Sequence, residues 1–272
     1  MAINNHIVVP FLMGQHRAGL RRVHHIASHA WDTLTMPDFR ATEIADANEK
    51  LRRMGRIYAL LAEKVKEVVQ HGLVPVSISG DCVSTLGVLG GLQQAGQEPE
   101  RILWLDAHGD FHTWATSQTQ YIGGMPLAML VGRGERLAPF AGTIGVKPYP
   151  ERQIILSDGR DLDPGEREAL QSSQIVRCAI ADVLQYLRPH ERLYLHWDTD
   201  VIDAPREMPA LKYHVQEGPS IADIGSLFKQ LRAKNIIAIS VSAWHEEKDH
   251  DNKTALVCLN LLKELGIQTS AA

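Results

Sequence analysis

Short apolar runs that alternate with helix-like segments constrain the fold of this chain most strongly. Continuous apolar strands of this kind, separated by helices, are typical of a mostly parallel sheet that is covered on both faces. The sequence therefore predicts an α/β fold of three layers (αβα) with a mostly parallel central sheet. Strands are predicted at residues 6–9, 73–79, 101–105, 153–156, 193–197 and 236–241.

The segments between these runs have the features of helices. Gly72 provides a C-terminal stop for the longest segment, and Pro164 stands in the first turn of another. No Pro/Gly/Ser-rich linker divides the 272 residues, so we expect one domain over residues 1–272. Helices are predicted at residues 42–71, 84–94, 125–131, 164–171, 180–187, 220–233 and 252–265.

Composition excludes several classes of protein. Lys and Arg total 28 against 32 Asp and Glu, and a net charge of −4 argues against a general nucleic-acid binder. The sequence has neither an apolar run long enough to span a membrane nor the order of residues of a signal peptide. The three cysteines, Cys82, Cys178 and Cys258, cannot all pair, which favours a reducing compartment. We therefore expect a cytoplasmic protein that binds neither nucleic acid nor membranes.

Polar residues follow the strand predicted at residues 101–105 at intervals of two. Alternate side chains of an extended chain point to the same side, so Asp106, His108 and Asp110 are expected to face one direction. Ligands of parallel-sheet proteins bind beyond the carboxyl ends of the strands. Two carboxylates and an imidazole gathered there suit a divalent metal ion, although solvated acids in a strand-to-helix turn are the alternative.

A second acidic pair repeats this geometry. Asp198 and Asp200 follow the run at residues 193–197, and Cys82 follows the run at residues 73–79. Burying several acids together without cations would be costly. Four aspartates, one histidine and one cysteine therefore match a site for two metal ions, which activates a hydroxide at neutral pH. For Cys82 the alternative is a small buried hydrophobic residue.

Three motifs together resemble those of the ureohydrolases, the family of arginase, agmatinase and formiminoglutamase. They are Gly-Asp-Cys at residues 80–82, Asp-Ala-His-Gly-Asp at 106–110 and Asp-Thr-Asp at 198–200, in the family's order and spacing. The resemblance extends over about residues 70–245. It implies an arginase-like α/β fold and two divalent metal ions, which are manganese in that family. Histone-deacetylase-like hydrolases share the fold but lack this combination of residues.

The resemblance also implies a role for each matched residue. Position 82 would complete the shell of one metal ion. The family has histidine there, and the Cys82 thiolate is a softer ligand that favours zinc or iron. Manganese, zinc and iron therefore stay open. The other positions matched to metal ligands are Asp106, His108, Asp110, Asp198 and Asp200.

The loops that follow match substrate-binding positions of arginases. His112 and Thr119 stand where the carboxylate of an amino-acid substrate is held, and Asp163 stands where its α-amino group is contacted. A carboxylate at Asp163 would pair with an ammonium group. The alternatives are an ordinary surface loop after residue 110 and a cap for the helix that begins at Pro164.

Two catalytic positions of arginases are not retained. Gly123 stands where they have a proton-shuttling histidine, and Ala243 stands where they have a glutamate against the guanidinium. His245 and Glu246 lie close by in the sequence and are our candidates for the missing catalytic groups. The alternative for residues 245–247 is a solvated acidic loop.

Cys82 together with Gly123 resembles the amidinohydrolases that act on Nω-hydroxy-L-arginine. The segments at residues 121–130, 161–168 and 196–203 are similar to that branch as well. We therefore predict metal-dependent hydrolysis of a guanidino-type C–N bond in an amino-acid-like substrate of the arginine or Nω-hydroxy-arginine class. The product would be urea or hydroxyurea. The resemblance implies that a metal-bridging hydroxide attacks the guanidino carbon and that Asp110 passes its proton to the leaving amine.

Two other functions stay open at this point. The chain could hydrolyse a formimino bond or another linear amidine or amide, or it could be a degenerate member that binds a ligand without turnover. The expected partner is a small guanidino-type substrate. Ureohydrolases often form trimers or hexamers, so a homo-oligomer is also open.

Overall fold

A sheet of eight parallel strands forms the centre of the computed structural model, which describes residues 4–27, 30–37, 42–134, 142–242 and 244–266. The strands are β1 (Asn4–Val9), β2 (Phe11–Leu12), β3 (Gln15–His16), β4 (Asp32–Thr33), β5 (Val74–Ser79), β6 (Arg101–Asp106), β7 (Ile154–Asp158), β8 (Val176–Arg177), β9 (Arg192–Asp198) and β10 (Asn235–Ser242). The order across this sheet is β4-β1-β5-β10-β9-β6-β7-β8, and a separate antiparallel ribbon pairs β2 with β3.

Helices cover both faces of the sheet. They are α1 (Val23–Ile26), α2 (Ala47–Gln70), α3 (Thr85–Gln94), α4 (Pro126–Leu130), α5 (Pro164–Gln171), α6 (Ile221–Leu231) and α7 (Lys253–Glu264). α2 to α5 lie on one face, where Tyr58, Leu61 and Val65 of α2 contribute to one buried apolar cluster. α6 and α7 pack on the other face, where Phe228 and Leu262 contribute to a second cluster. The predicted three-layer α/β fold is thereby confirmed.

Local chemistry explains where the predicted elements begin and end. α2 begins five residues later than predicted because the Asp46 side chain accepts a hydrogen bond from the Glu49 backbone N–H at 2.6 Å. It ends before Gly72, whose φ of 74° lies in the left-handed region that glycine adopts readily. The helix predicted at residues 180–187 is a 3₁₀-helix, Ile180–Tyr186. Among the described residues, no helix is both long and apolar enough to cross a membrane.

The strand order places the polar motifs together. β5, β10, β9 and β6 are consecutive in the sheet and run parallel, so their carboxyl ends lie at one edge. Asp106 ends β6 and Asp198 ends β9, while Cys82 begins the 3₁₀-helix Cys82–Ser84 shortly after β5. Three motifs that are far apart in the sequence therefore meet at the centre of this edge.

Candidate metal centre

A cavity of about 240 Å³ lies at the carboxyl edge of the four central strands. Every residue that we predicted to hold metal or substrate contributes to its wall. They are Cys82, Asp106, His108, Asp110, His112, Thr119, Asp163, Asp198 and Asp200. The sequence motifs therefore predict the composition of this cavity well, although proximity alone does not assign a role to each residue.

Four aspartates are buried together in this cavity, each no more than 5% exposed. Burial, and then the neighbouring Asp200 carboxylate, raises the pKa of Asp198 to about 6. Burial and the carboxylates of Asp106 and Asp198 raise the pKa of Asp110 well above its ordinary value. Within the described chain, Oδ2 of Asp110 and Oδ1 of Asp200 have no hydrogen-bond partner. Buried carboxylate oxygens without partners fit a divalent cation, which supplies both the missing contacts and the missing positive charge.

His108 lies between two of these carboxylates. Its Nδ1 is 3.3 Å from Oδ1 of Asp106 and 3.5 Å from Oδ2 of Asp200. Burial lowers the pKa of His108, but the two carboxylates outweigh this effect and raise it strongly. One ligand atom from each of these three side chains lies within 4.8 Å of the others, which is a group that could hold a metal ion.

A second group of ligand atoms lies beside the first. The Cys82 thiol donates a hydrogen bond to Oδ2 of Asp198 at 2.9 Å. Its sulfur, one oxygen of Asp106 and one ring nitrogen of His196 lie within 4.8 Å of one another. Asp106 thus belongs to both groups, so the two candidate metal-binding groups share one carboxylate.

His196 is a residue that the sequence analysis missed. It lies inside the apolar run at residues 193–197 and is fully buried. Burial, and then the Lys212 ammonium group, lowers its pKa to about 3, so the imidazole is neutral at physiological pH. Its position two residues before Asp198 in the same strand puts both side chains on one face, which is the signal that could have found it.

Lys212 and Tyr213 reach the cavity from a loop that carried no recognisable motif. Lys212 donates hydrogen bonds to the Gly80 carbonyl oxygen and to Oγ of Ser242. The Tyr213 ring packs edge-on against His108, with ring centroids 5.1 Å apart. Both residues depend on long-range folding of the segment after Asp200, and no periodicity in the sequence predicts where they lie.

An aromatic ring fills the space that a side chain at Gly123 would need. A Cβ atom at this position would lie 2.3 Å from the Tyr121 ring and 2.8 Å from its hydroxyl oxygen. Both residues line the cavity. A larger side chain at position 123 would therefore require Tyr121 to move.

The predicted substrate-binding residues lie together at the mouth of the cavity. Nε2 of His112 is 3.2 Å from Oδ2 of Asp163, and Nδ1 of His112 is 3.2 Å from Oγ1 of Thr116. Asp163 occupies the position before α5, but its side chain makes no capping hydrogen bond. The Asp163 carboxylate faces His112 and is 66% exposed, so it is accessible from solvent.

His245 and Glu246, our candidates for the missing catalytic groups, do not line this cavity. Glu246 is 6% exposed, and its Oε1 accepts a hydrogen bond from Nε of Arg17 at 2.9 Å. This ion pair fixes the carboxylate toward the N-terminal segment, which sequence distance alone could not reveal. The alternative of a solvated loop does not describe Glu246 either. Ala243, the position compared with the guanidinium-binding glutamate, lies outside the described residues.

The fold and this cavity define a class of α/β protein with a buried cluster of carboxylates at the carboxyl edge of a parallel sheet. The model of the arginase family matches residues 14–267, so the chain belongs to the arginase family. The predictions of ureohydrolase membership and of an amidinohydrolase enzyme are thereby confirmed at the level of the family.

Individual relatives agree with this assignment. Arginase of Bacillus subtilis (strain 168) is 31% identical over 238 residues, which cover 80% of this chain and 78% of that protein. An N(omega)-hydroxy-L-arginine amidinohydrolase of Streptomyces lavendulae is 26% identical over 208 residues, covering 73% of this chain and 71% of that protein. The crystal structure of arginase from Bacillus caldovelox superposes with a TM-score of 0.78 at 25% identity, covering 97% of this chain and 98% of that one.

Proposed function

We propose that this protein is a metal-dependent amidinohydrolase that cleaves a guanidino-type C–N bond of an amino-acid-like substrate. The substrate would be L-arginine or Nω-hydroxy-L-arginine, and the product urea or hydroxyurea. The observation that carries this proposal is the gathering of four buried aspartates and His108 around one cavity. Membership of the arginase family, with relatives named for both substrates, supports it.

Two divalent metal ions are the proposed cofactors. Manganese is the metal of the family that the motifs resemble, whereas the thiolate of Cys82 favours zinc or iron. Bound in this cavity, the ions would lower the pKa of a water nucleophile and stabilise negative charge that develops at the guanidino group. The residues proposed to hold them are Cys82, Asp106, His108, Asp110, Asp198 and Asp200.

Asp110 is the proposed proton-transfer residue. Its backbone has a φ of 50°, and its carbonyl oxygen accepts hydrogen bonds from the backbone N–H groups of Leu127 and Ala128. These contacts hold the residue at the start of α4 and leave Oδ2 without a partner. The carboxylate could therefore bind a metal ion through one oxygen and, through the other, accept a proton from the attacking water and deliver it to the leaving amine.

The exposed end of the cavity is proposed to bind the amino-acid part of the substrate. The Asp163 carboxylate would pair with the α-ammonium group, while His112 and Thr119 would donate hydrogen bonds to the α-carboxylate. The present contact between His112 and Asp163 keeps both side chains at the mouth, where a zwitterionic group could bind between them. We propose that the whole chain acts as one cytoplasmic domain on this small substrate.

A substrate panel tests the proposal. Protein stripped with a chelator is reloaded with Mn²⁺, Zn²⁺ or Fe²⁺ and incubated with L-arginine, Nω-hydroxy-L-arginine, agmatine or formimino-L-glutamate. We expect metal-dependent release of urea or hydroxyurea from one of the first two, with Asp110→Asn as the inactive control. Hydrolysis of only formimino-L-glutamate would favour the alternative substrate class. Binding without turnover in any metal form would contradict the proposal and favour a ligand-binding protein.

A further inference from the structure

The imidazole of His196 differs from an ordinary core side chain. Its side chain is fully buried in β9, and its Nε2 atom has no hydrogen-bond partner in the described part of the chain. A buried polar nitrogen without a partner costs free energy, and folded proteins rarely retain one. The aromatic contact with Trp104, at 4.2 Å between ring centroids, packs the ring but satisfies neither nitrogen.

A hydrogen bond on the opposite side of the ring fixes which nitrogen is available. Nδ1 of His196 is 2.8 Å from Oγ of Ser240 on β10, and the Tyr194 hydroxyl lies 2.5 Å from the same oxygen. β10 and β6 flank β9 on its two sides, and Nδ1 is the ring nitrogen that faces β10. Metal-binding histidines commonly donate their second N–H to an oxygen in this way, which leaves the lone pair of the other nitrogen for the metal.

Two other donor atoms lie near this ring. The sulfur of Cys82 and one carboxylate oxygen of Asp106 lie within 4.8 Å of a His196 ring nitrogen and of each other. Asp106 stands at the end of β6, two residues beyond Trp104, which pairs with His196 in the sheet. The three donors therefore come from three different elements and converge on one buried point.

We propose that His196 is a metal ligand and that, with Cys82 and Asp106, it forms a soft metal site next to a harder one. The harder site consists of Asp106, His108 and Asp200, so Asp106 is shared by the two. This inference deepens the proposed function, because it describes one half of the same metal centre.

The donor atoms of the two sites differ in their metal preference. Sulfur, nitrogen and oxygen donors at the Cys82 site favour Zn²⁺, Fe²⁺ or Co²⁺, whereas the carboxylate-rich site at Asp200 also suits Mn²⁺. Coordination would release the thiol proton of Cys82 to solvent and free Oδ2 of Asp198, which accepts that proton in the present hydrogen bond. The proposed centre therefore binds two unlike metals when both are supplied.

A cobalt titration of chelator-stripped protein tests this assignment without any substrate. We expect two Co²⁺ ions per chain, one of which gives a thiolate-to-cobalt charge-transfer band. Cys82→Ser should remove the band, whereas Asp200→Asn should weaken only the ion without sulfur. His196→Gln should weaken the sulfur-linked ion by at least the ~10–100-fold that loss of a supporting residue costs. Ser240→Ala, which keeps the imidazole, should weaken it by about 10–100-fold.

Matched controls separate ligation from packing. His6 is a buried histidine on β1, away from the cavity, so His6→Gln introduces the same change in a parallel strand without touching the centre. X-ray absorption of a zinc-loaded Asp200→Asn sample should show sulfur and imidazole around the ion, and His196→Gln should remove the imidazole contribution. Retention of the Asp200-site ion in His196→Gln would show that this variant is folded.

Two outcomes would overturn the assignment. If His196→Gln keeps the charge-transfer band with unchanged affinity, His196 is not a ligand, while a retained second ion and retained hydrolysis would leave the proposed function intact. If the wild-type protein binds no metal at either group, both the assignment and the proposed function are wrong.

Discussion

One face of the three strands β6, β9 and β10 carries Leu105, Trp197 and Val241, and the opposite face carries Asp106, Asp198 and Ser242. All six side chains are almost completely buried. The apolar face packs against α6 and α7, where the Trp197 ring meets Phe228 edge-on with centroids 5.1 Å apart. The polar face ends in the candidate metal centre. At these strand ends, equal burial therefore serves opposite purposes on the two sides of the sheet.

The difference separates stability from chemistry. Burial of apolar surface stabilises the fold, and the side of the strand ends that holds Trp197 gains this contribution. On the polar face burial raises the pKa of each aspartate, so the charged cluster lowers stability until a cation is bound. Variants on the two faces should consequently divide into those that change stability and those that change metal binding and turnover.

The largest effect is expected on the polar face. Asp110→Asn removes the proposed proton acceptor, and loss of general acid–base catalysis typically costs ~10²–10⁴-fold in rate. We expect kcat to fall by that factor while the melting temperature of the chelator-treated protein stays the same or rises. Steady-state kinetics and thermal denaturation measure the two effects. Wild-type kcat in Asp110→Asn, or in Asp200→Asn, would contradict the proposed centre.

On the face that holds Trp197, a substitution should lower stability without changing metal binding. Trp197→Ala leaves a large cavity against Phe228, and truncation of a buried tryptophan typically costs ~3–5 kcal/mol in the free energy of unfolding. The mutated side chain faces away from the cavity, so the folded fraction should retain its metal affinity. Urea denaturation and metal titration below the transition would check both statements. If Trp197→Ala has the same free energy of unfolding as the wild type, this face contributes less to stability than its burial indicates.

Charge removal on the polar face should stabilise the protein when metal is absent. The pKa of Asp198 rises from 3.8 to about 6, and a shift of about two units corresponds to ~3 kcal/mol. At pH 7.5 with a chelator, Asp198→Asn should therefore raise the free energy of unfolding by up to ~3 kcal/mol. It should also lose metal binding. The matched control is Glu168→Gln on the exposed surface of α5, which should change stability little. A lower stability for Asp198→Asn would contradict the proposed repulsion.

The sequence predicts the central elements and the acidic cluster because both depend on local patterns. Apolar runs specify β5, β6 and β9, and the spacing of Asp106, His108 and Asp110 follows the alternation of an extended chain. The two-residue edge strands β4 and β8 were not predicted, since two residues carry no periodicity. Cavity residues contributed by distant loops, such as Lys212, depend on tertiary contacts that a motif does not contain.

Nearness in the sequence is also a poor predictor of which residues reach the cavity. Glu246 lies three residues after Ala243, yet its ion pair with Arg17 holds it outside the cavity. His196 shows the reverse case, because its apolar neighbours gave it the appearance of an ordinary core residue. In both cases the direction of one side chain decides whether the residue points toward the candidate metal centre. That direction depends on a partner more than 40 residues away in the sequence.

The smallest effect concerns α6, the helix that covers the apolar face. Its N-terminus carries a capping box, in which Ser220 accepts from the Asp223 backbone N–H at 3.2 Å and Asp223 accepts from the Ser220 backbone N–H at 2.9 Å. Ser220→Ala should lower the free energy of unfolding by ~1 kcal/mol, the usual cost of losing such a cap. Turnover and metal affinity should not change, because the helix does not reach the cavity.

The pH dependence of this capping effect separates it from a general packing defect. The hydrogen bonds from Ser220 lower the pKa of Asp223 below its ordinary value of 3.8. A carboxyl group with a lowered pKa stabilises the folded state above the unfolded-state pKa, and this contribution is lost as the pH falls through the lower folded-state value. The stability difference between wild type and Ser220→Ala should therefore be largest near neutral pH and shrink below about pH 4. Denaturant unfolding at pH 7 and pH 3 measures it, and a difference that stays constant would mean that Ser220 acts through packing alone.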